Sequence, residues 1–187
     1  MFFGSLQSSP WEAVRHWSAA AHNASPAMAG VLTVAGSLTR YLERHHQMLL
    51  DVHLHDQIVD KVAPDEAEML TCKPGTPALR RNVSLLHRGT VMFDAESVLP
   101  LDTLPADLMQ DLQDGIKPLG NLLLDRGLSL SRSDLSVARI NDEGRFHASW
   151  ARRSVLRSDS GTRALVVEVF RADMWKRIDT VSERRRS

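Results

Sequence analysis

The stretch "ALRRNVSLLHRGTVMFDAESVLP" (residues 78–100) decides the fold. Large apolar and β-branched residues recur through both halves, and Gly89-Thr90 divides them. The stretch therefore predicts two strands joined by a tight turn. The pattern repeats further on. "NDEGR" (141–145) reads as a turn, "FHASWARRSVLRS" (146–158) as a strand, "DSGT" (159–162) as a hairpin turn, and "RALVVEVFRAD" (163–173) as the last strand. In that last strand Leu165, Val167 and Val169 share one face while Val166, Glu168 and Phe170 share the other. Both faces call for burial, and an unpaired buried carboxylate is costly. Glu168 therefore either points to water from an edge strand or lines a pocket that needs an acid.

Outward from the strands, the front of the chain is helical in pattern. "PWEAVRHWSAAAHN" (10–23) predicts an amphipathic helix, with Pro10 in its first turn and Trp11, Val14 and Trp17 on one stripe. "SPAMAGVLT" (25–33) is a short connection with some helical character. Ser37 is an N-cap for a helix carrying Leu38, Tyr41 and Leu42. Leu50, Val52 and Leu54 then alternate with Asp51, His53 and His55, the period of a half-buried strand. "APDEAEML" (63–70) returns to helix, and "PADLMQDLQDG" (105–115) predicts another that Gly115 ends. "KPLGNLLLDRG" (117–127) predicts a short turn-helix unit. Helices at the front and paired strands later, with no βαβ repeat, make an α+β fold with one antiparallel sheet. A single domain over 1–187 is expected, with frayed tails at 1–9 and 178–187.

Composition narrows the function. Lys plus Arg equal Asp plus Glu at 23 each, which argues against nucleic acid or an anionic membrane as partner. The "RRR" run at 184–186 reads as a solvated tail. One cysteine, Cys72 in the loop-like "LTCKPGTP", excludes an internal disulfide and suits a reducing compartment. No apolar run reaches the roughly 20 residues of a membrane span, and "MFFGSLQSSP" lacks a signal peptide's basic leader. A cytoplasmic monomer is expected. His45, His46, His53 and His55 are close in sequence but lack a second ligand cluster with metal-site spacing, so no metal is expected. No phosphate-cradling glycine motif or nucleophile elbow is present. What remains is a pattern of arginines within strands, Arg80-Arg81 and Arg152-Arg153. Neighbours in a strand face opposite sides, so one arginine of each pair can turn inward and offer its fork of donors to a carboxylate.

The succession "GSLTRYL", "LRRNVSLL", "SVLPLDTL", "KPLGNLL", "WARRSVL" and "LVVEVF", running from about Trp11 to Phe170, resembles the chorismate pyruvate-lyases. That resemblance implies an antiparallel sheet with helices packed on it and helical flaps over a buried ligand. It implies elimination of pyruvate from chorismate to give 4-hydroxybenzoate, the first step towards the ubiquinone ring, with neither metal nor organic cofactor. Carried onto this sequence, Arg81 would bind the ring carboxylate and Leu119 would help through its backbone N–H. Glu168 would sit near the ring hydroxyl and the departing enolpyruvyl group. Arg153 is a further substrate-binding candidate, either member of its pair being able to turn inward, and a backbone contribution to the pocket falls near His53. The chain departs from the family pattern at Asn82, Glu96 and the Arg88-Gly89 turn. The alternatives are a non-catalytic domain that binds aromatic carboxylates, on the fold of some regulators' ligand-sensing domains, or a paralogue acting on another chorismate-derived compound. The ~30 residues before "GSLTRYL" are too short and too little basic for a helix-turn-helix domain.

Overall fold

The computed structural model describes residues 9–113, 119, 122, 130–141, 143–159 and 161–184. Seven strands form one antiparallel sheet: β1 (Glu12–Ala13), β2 (Asp51–Lys61), β3 (Pro77–His87), β4 (Thr90–Pro100), β5 (Leu130–Arg139), β6 (Trp150–Ser158) and β7 (Arg163–Phe170). Their spatial order is β1-β5-β6-β7-β4-β3-β2. The described helices are α1 (Pro26–Thr33), α2 (Leu38–His46), α3 (Pro64–Leu70), α4 (Ala106–Gln113) and α5 (Ala172–Arg184). This is the α+β architecture that the strand pairs predict.

The central hairpin forms where expected. His87 faces Thr90 across a two-residue loop, Arg88-Gly89, in which both residues have positive φ (51° and 79°). Such a loop matches the right-handed twist of the strands it joins. Gly161 (φ 90°) makes the corresponding reversal between β6 and β7. Ser25 and Ser37 cap α1 and α2, each accepting a hydrogen bond from a first-turn N–H.

Two expectations are corrected. Residues 10–23 do not form a helix; they supply β1, paired to β5 at Val137 and Ser136, followed by turns. Trp11 packs into the core on one face of the sheet, while Val14 and Trp17 pack into the core on the other. The segment wraps the sheet edge, so its apolar residues serve two faces and their helical spacing is coincidental. The C-terminal stretch expected to fray from 178 is helical through Arg184, because Ile178 is buried in the core beside Met174 and Phe170. Gly115 and most of "KPLGNLLLDRG" lie outside the described residues; of that stretch Leu119 and Leu122 are described, and both are buried.

The faces of the sheet differ. One packs Val98, Val155, Leu165, Val167 and Val169 against α3 and Phe146. The other carries two separate apolar clusters. Leu32, Leu42, Val83, Leu85, Phe93, Phe170 and Met174 form one around α1, α2 and α5. Leu79, Leu99, Leu108, Leu112, Leu156 and Val166 form the second under α4. A cavity lies between these two clusters.

Candidate active site

Strand alternation sets the cavity floor. Arg81, Val83 and Leu85 of β3, Phe93, Ala95 and Ser97 of β4, Val166 and Glu168 of β7, Leu156 of β6 and Arg132 of β5 all face it. Residues 35–39, which run from the loop after α1 into the first turn of α2, and Leu119 close over it. Counted at the centres of water-sized spheres its volume is about 70 Å³. That is several times the ~10–15 Å³ one water requires, so the space suits a small organic molecule. The lining is mainly apolar, with charge concentrated in Arg81, Arg132 and Glu168.

Glu168 is buried, with 7 % of its side chain exposed, and it is ion-paired rather than isolated. Arg152, with no exposed side-chain surface, grips it from β6: Nε donates to Oε2 at 2.5 Å and Nη2 donates to Oε1 at 3.2 Å. The remaining Arg152 nitrogen, Nη1, donates to the carbonyls of Val31 and Val34, each at 3.1 Å, at the C-terminal end of α1. One side chain thus ties Glu168 to the segment that roofs the cavity. Arg132 Nη1 stands 3.7 Å from Glu168 Oε2 and donates to Ser154 Oγ at 2.5 Å.

Electrostatics follow from this packing. Desolvation alone would raise the Glu168 carboxyl, but the Arg152 guanidinium, with Arg132 beyond it and the Arg152 hydrogen bond, holds it below the usual carboxylate range. Glu168 is therefore ionised at neutral pH. Burial pulls Arg132 down to about 10, against the pull of Glu168, so it keeps its charge at neutral pH. Burial also lowers Arg81. Arg152 and Arg132 lie against the Glu168 carboxylate, and Arg81 adds a further positive charge to the cavity lining, an arrangement suited to an anionic ligand.

Arg81, Leu119 and Glu168 are thus brought together, and two other candidates are not. Arg153 faces the opposite side of the sheet, with its guanidinium 4.6 Å from the centre of the Trp11 ring. The inward member of that pair is Arg152, because Arg152 stands opposite Glu168 in the β6–β7 register and shares its face. Likewise Arg80 turns away from the cavity to form a two-point ion pair with Glu66 at 2.8 and 2.6 Å. His53 lies exposed on the edge strand β2, its ring set edge-on to His55, and does not line the cavity. Among the described residues no group of three or more His, Cys, Asp or Glu side chains is placed to hold a metal. Arg132, Arg152 and the 35–39 segment were missed as site components. Only Arg152 left a signal, as one of the strand arginine pairs.

A mixed-charge cavity on one face of an antiparallel sheet, roofed by helical segments, defines a small-molecule-binding α+β domain. The solved structure of PhnF from Mycobacterium smegmatis is similar (TM-score 0.58, 16% identity, 76% of this chain and 66% of that chain). So is its separate effector domain (TM-score 0.57, 16% identity, 74% and 90%). At such identity these share the fold alone. The family profile described as "Chorismate lyase" matches residues 11–180. "Probable chorismate pyruvate-lyase" of Halorhodospira halophila (strain DSM 244 / SL1) is 36% identical over 158 residues, covering 78% of this chain and 82% of that protein. "Chorismate pyruvate-lyase" of Hamiltonella defensa subsp. Acyrthosiphon pisum (strain 5AT) is 32% identical over 145 residues, covering 76% and 77%. The chain belongs to the chorismate lyase family.

Proposed function

We propose that this chain is a chorismate pyruvate-lyase that releases 4-hydroxybenzoate and pyruvate, supplying the ring for ubiquinone. The observation that carries this is the placing of Arg81 and an ionised Glu168 in the floor of one mainly apolar cavity. Arg81 binds the ring carboxylate through charge-assisted hydrogen bonds, with help from the backbone of Leu119. Val83, Phe93 and Val166 hold the ring and keep water out. Glu168 accepts a hydrogen bond from the ring hydroxyl and so orients the carbon that loses its proton.

In the elimination, the ring carbon bearing the hydroxyl gives up its proton and the ether bond at the neighbouring carbon breaks. The electron pair leaves on the enolpyruvyl oxygen. The released enolpyruvate gains a proton on its methylene carbon to become pyruvate, so the proton count closes, and aromatisation drives the reaction. A general acid must carry a proton to donate, and Glu168 held below the usual carboxylate range does not. Its contribution is orientation and electrostatic. The family resemblance implies that no metal or organic cofactor takes part.

The test is Glu168→Gln, which keeps the side-chain volume and removes the charge. Turnover of chorismate falls about 10- to 150-fold, the worth of a hydrogen bond to a charged group, while 4-hydroxybenzoate still binds through Arg81. Undiminished turnover in this variant would remove Glu168 from the mechanism. Binding of 4-hydroxybenzoate by the wild-type protein with no conversion of chorismate would make the domain a non-catalytic aromatic-carboxylate binder or a paralogue with another substrate.

A further inference from the structure

Chorismate carries two carboxylates, one on the ring and one on the enolpyruvyl ether, and 4-hydroxybenzoate keeps only the first. A pocket that takes the dianion needs a second cationic contact, close to the ether and away from the one that holds the ring. Arg132 meets that requirement. It enters the cavity from β5 with its side chain only 5 % exposed. Its single hydrogen bond among the described residues goes from Nη1 to Ser154 Oγ. The 3.7 Å separation from Glu168 Oε2 is too long for another, and the hydrogen bonds Glu168 accepts from an arginine come from Arg152. Arg132 Nε is buried with no hydrogen-bond partner among the described residues.

A buried guanidinium with donors to spare is costly unless an anion completes it. Among the described residues of the cavity lining the only carboxylate is Glu168, and it stands 3.7 Å from Arg132 Nη1, beyond hydrogen-bond length. The ring hydroxyl that Glu168 would orient is adjacent, on the ring, to the ether oxygen of the enolpyruvyl group. A ligand seated on Arg81 and Glu168 therefore puts its second carboxylate on the Arg132 side. Resting on the lyase reading of this site, we propose that Arg132 binds the enolpyruvyl carboxylate, and is the residue by which the pocket distinguishes chorismate from its product. The contact holds the leaving group while the ether bond breaks and is lost when pyruvate leaves, so the product is held through its ring carboxylate and hydroxyl alone.

The experiment compares wild type with Arg132→Gln and Arg132→Lys, measuring kcat and KM for chorismate beside the Kd for 4-hydroxybenzoate by calorimetry. Arg132→Gln should lower kcat/KM for chorismate about 10- to 150-fold and leave the 4-hydroxybenzoate Kd within about threefold. Arg132→Lys, which keeps the charge, should recover part of the loss. An equal loss of affinity for product would assign Arg132 to the ring carboxylate or to the fold, and unchanged chorismate kinetics would assign it no contact with the second carboxylate; either overturns the proposal. Melting curves with and without 4-hydroxybenzoate show that the variants are folded and occupied. If wild type binds chorismate without converting it, the lyase reading fails separately. The Arg132 assignment is then decided by chorismate affinity against 4-hydroxybenzoate affinity in the same three proteins, with selective loss of chorismate supporting it and parallel behaviour overturning it.

Discussion

At the scale of single residues, the Arg152–Glu168 pair governs the site. Truncating one partner of a buried ion pair leaves an uncompensated charge, typically at a cost of about 3–5 kcal/mol. Arg152→Met should therefore lower the melting temperature markedly and release the Val31 and Val34 carbonyls, detectable by calorimetry and by faster amide exchange at the end of α1. The pH dependence has a definite sign. The folded-state carboxyl of Glu168 lies below its unfolded value of about 4.3. Its contribution to stability is thus fully present above pH ~4.3 and is lost as pH falls through the folded value. Likewise kcat/KM should show no Glu168 titration between pH 5 and 8. A protonation step near pH 6–7 that disappears in Glu168→Gln would restore the general-acid role. Arg81→Ala should weaken 4-hydroxybenzoate binding about 10- to 150-fold, as expected for a charge-assisted contact, and an unchanged Kd by calorimetry would take Arg81 out of the pocket. Glu168 was legible because it stands in an apolar strand where burial is forced, and Arg81 because the family resemblance picks it out of its pair. Strand parity also required one arginine of each pair to face inward, but choosing Arg152 over Arg153 needed the β6–β7 register, which no local pattern carries.

At the scale of elements, a bulge explains why Arg132 was not legible. The pairing of β5 with β6 shifts register between Ser133 and Ser136, and Asp134 sits there with positive φ (55°). Arg132 faces the cavity before the irregularity and Val137 packs in the core on the same side after it, although they differ in parity. A simple count of alternation would put them on opposite faces. Bulges re-aim side chains in this way. Deleting Asp134 should restore alternation and turn one side of β5 over. Loss of chorismate turnover with retained sheet content by circular dichroism is the expected outcome, and full activity would show that the bulge does not set Arg132. The strand pairs β3–β4 and β6–β7 were legible because turn chemistry and apolar runs agree there. The segment 10–23 was not, since its tryptophans pack on opposite faces of the sheet and mimic a helical stripe only in sequence.

At the scale of the whole molecule, the cavity occupies the gap between two apolar clusters that would otherwise merge into one core. Filling it with a ligand joins them and brings a partner to the buried Arg132 Nε, so ligand should stabilise the fold by mass action, about 2.7 kcal/mol at one hundred times Kd. Arg152 ties the Glu168 side of the cavity to the end of α1, directly ahead of the roof at 35–39. Among the described residues no helix is long and apolar enough to cross a membrane. The most direct measurement is to incubate the purified protein with chorismate and quantify 4-hydroxybenzoate and pyruvate together, against a protein-free control for spontaneous decay. Equimolar release of both, well above the control, is the predicted result. Chorismate left intact, or consumed without equimolar pyruvate and 4-hydroxybenzoate, would contradict the assignment of this pocket to pyruvate elimination.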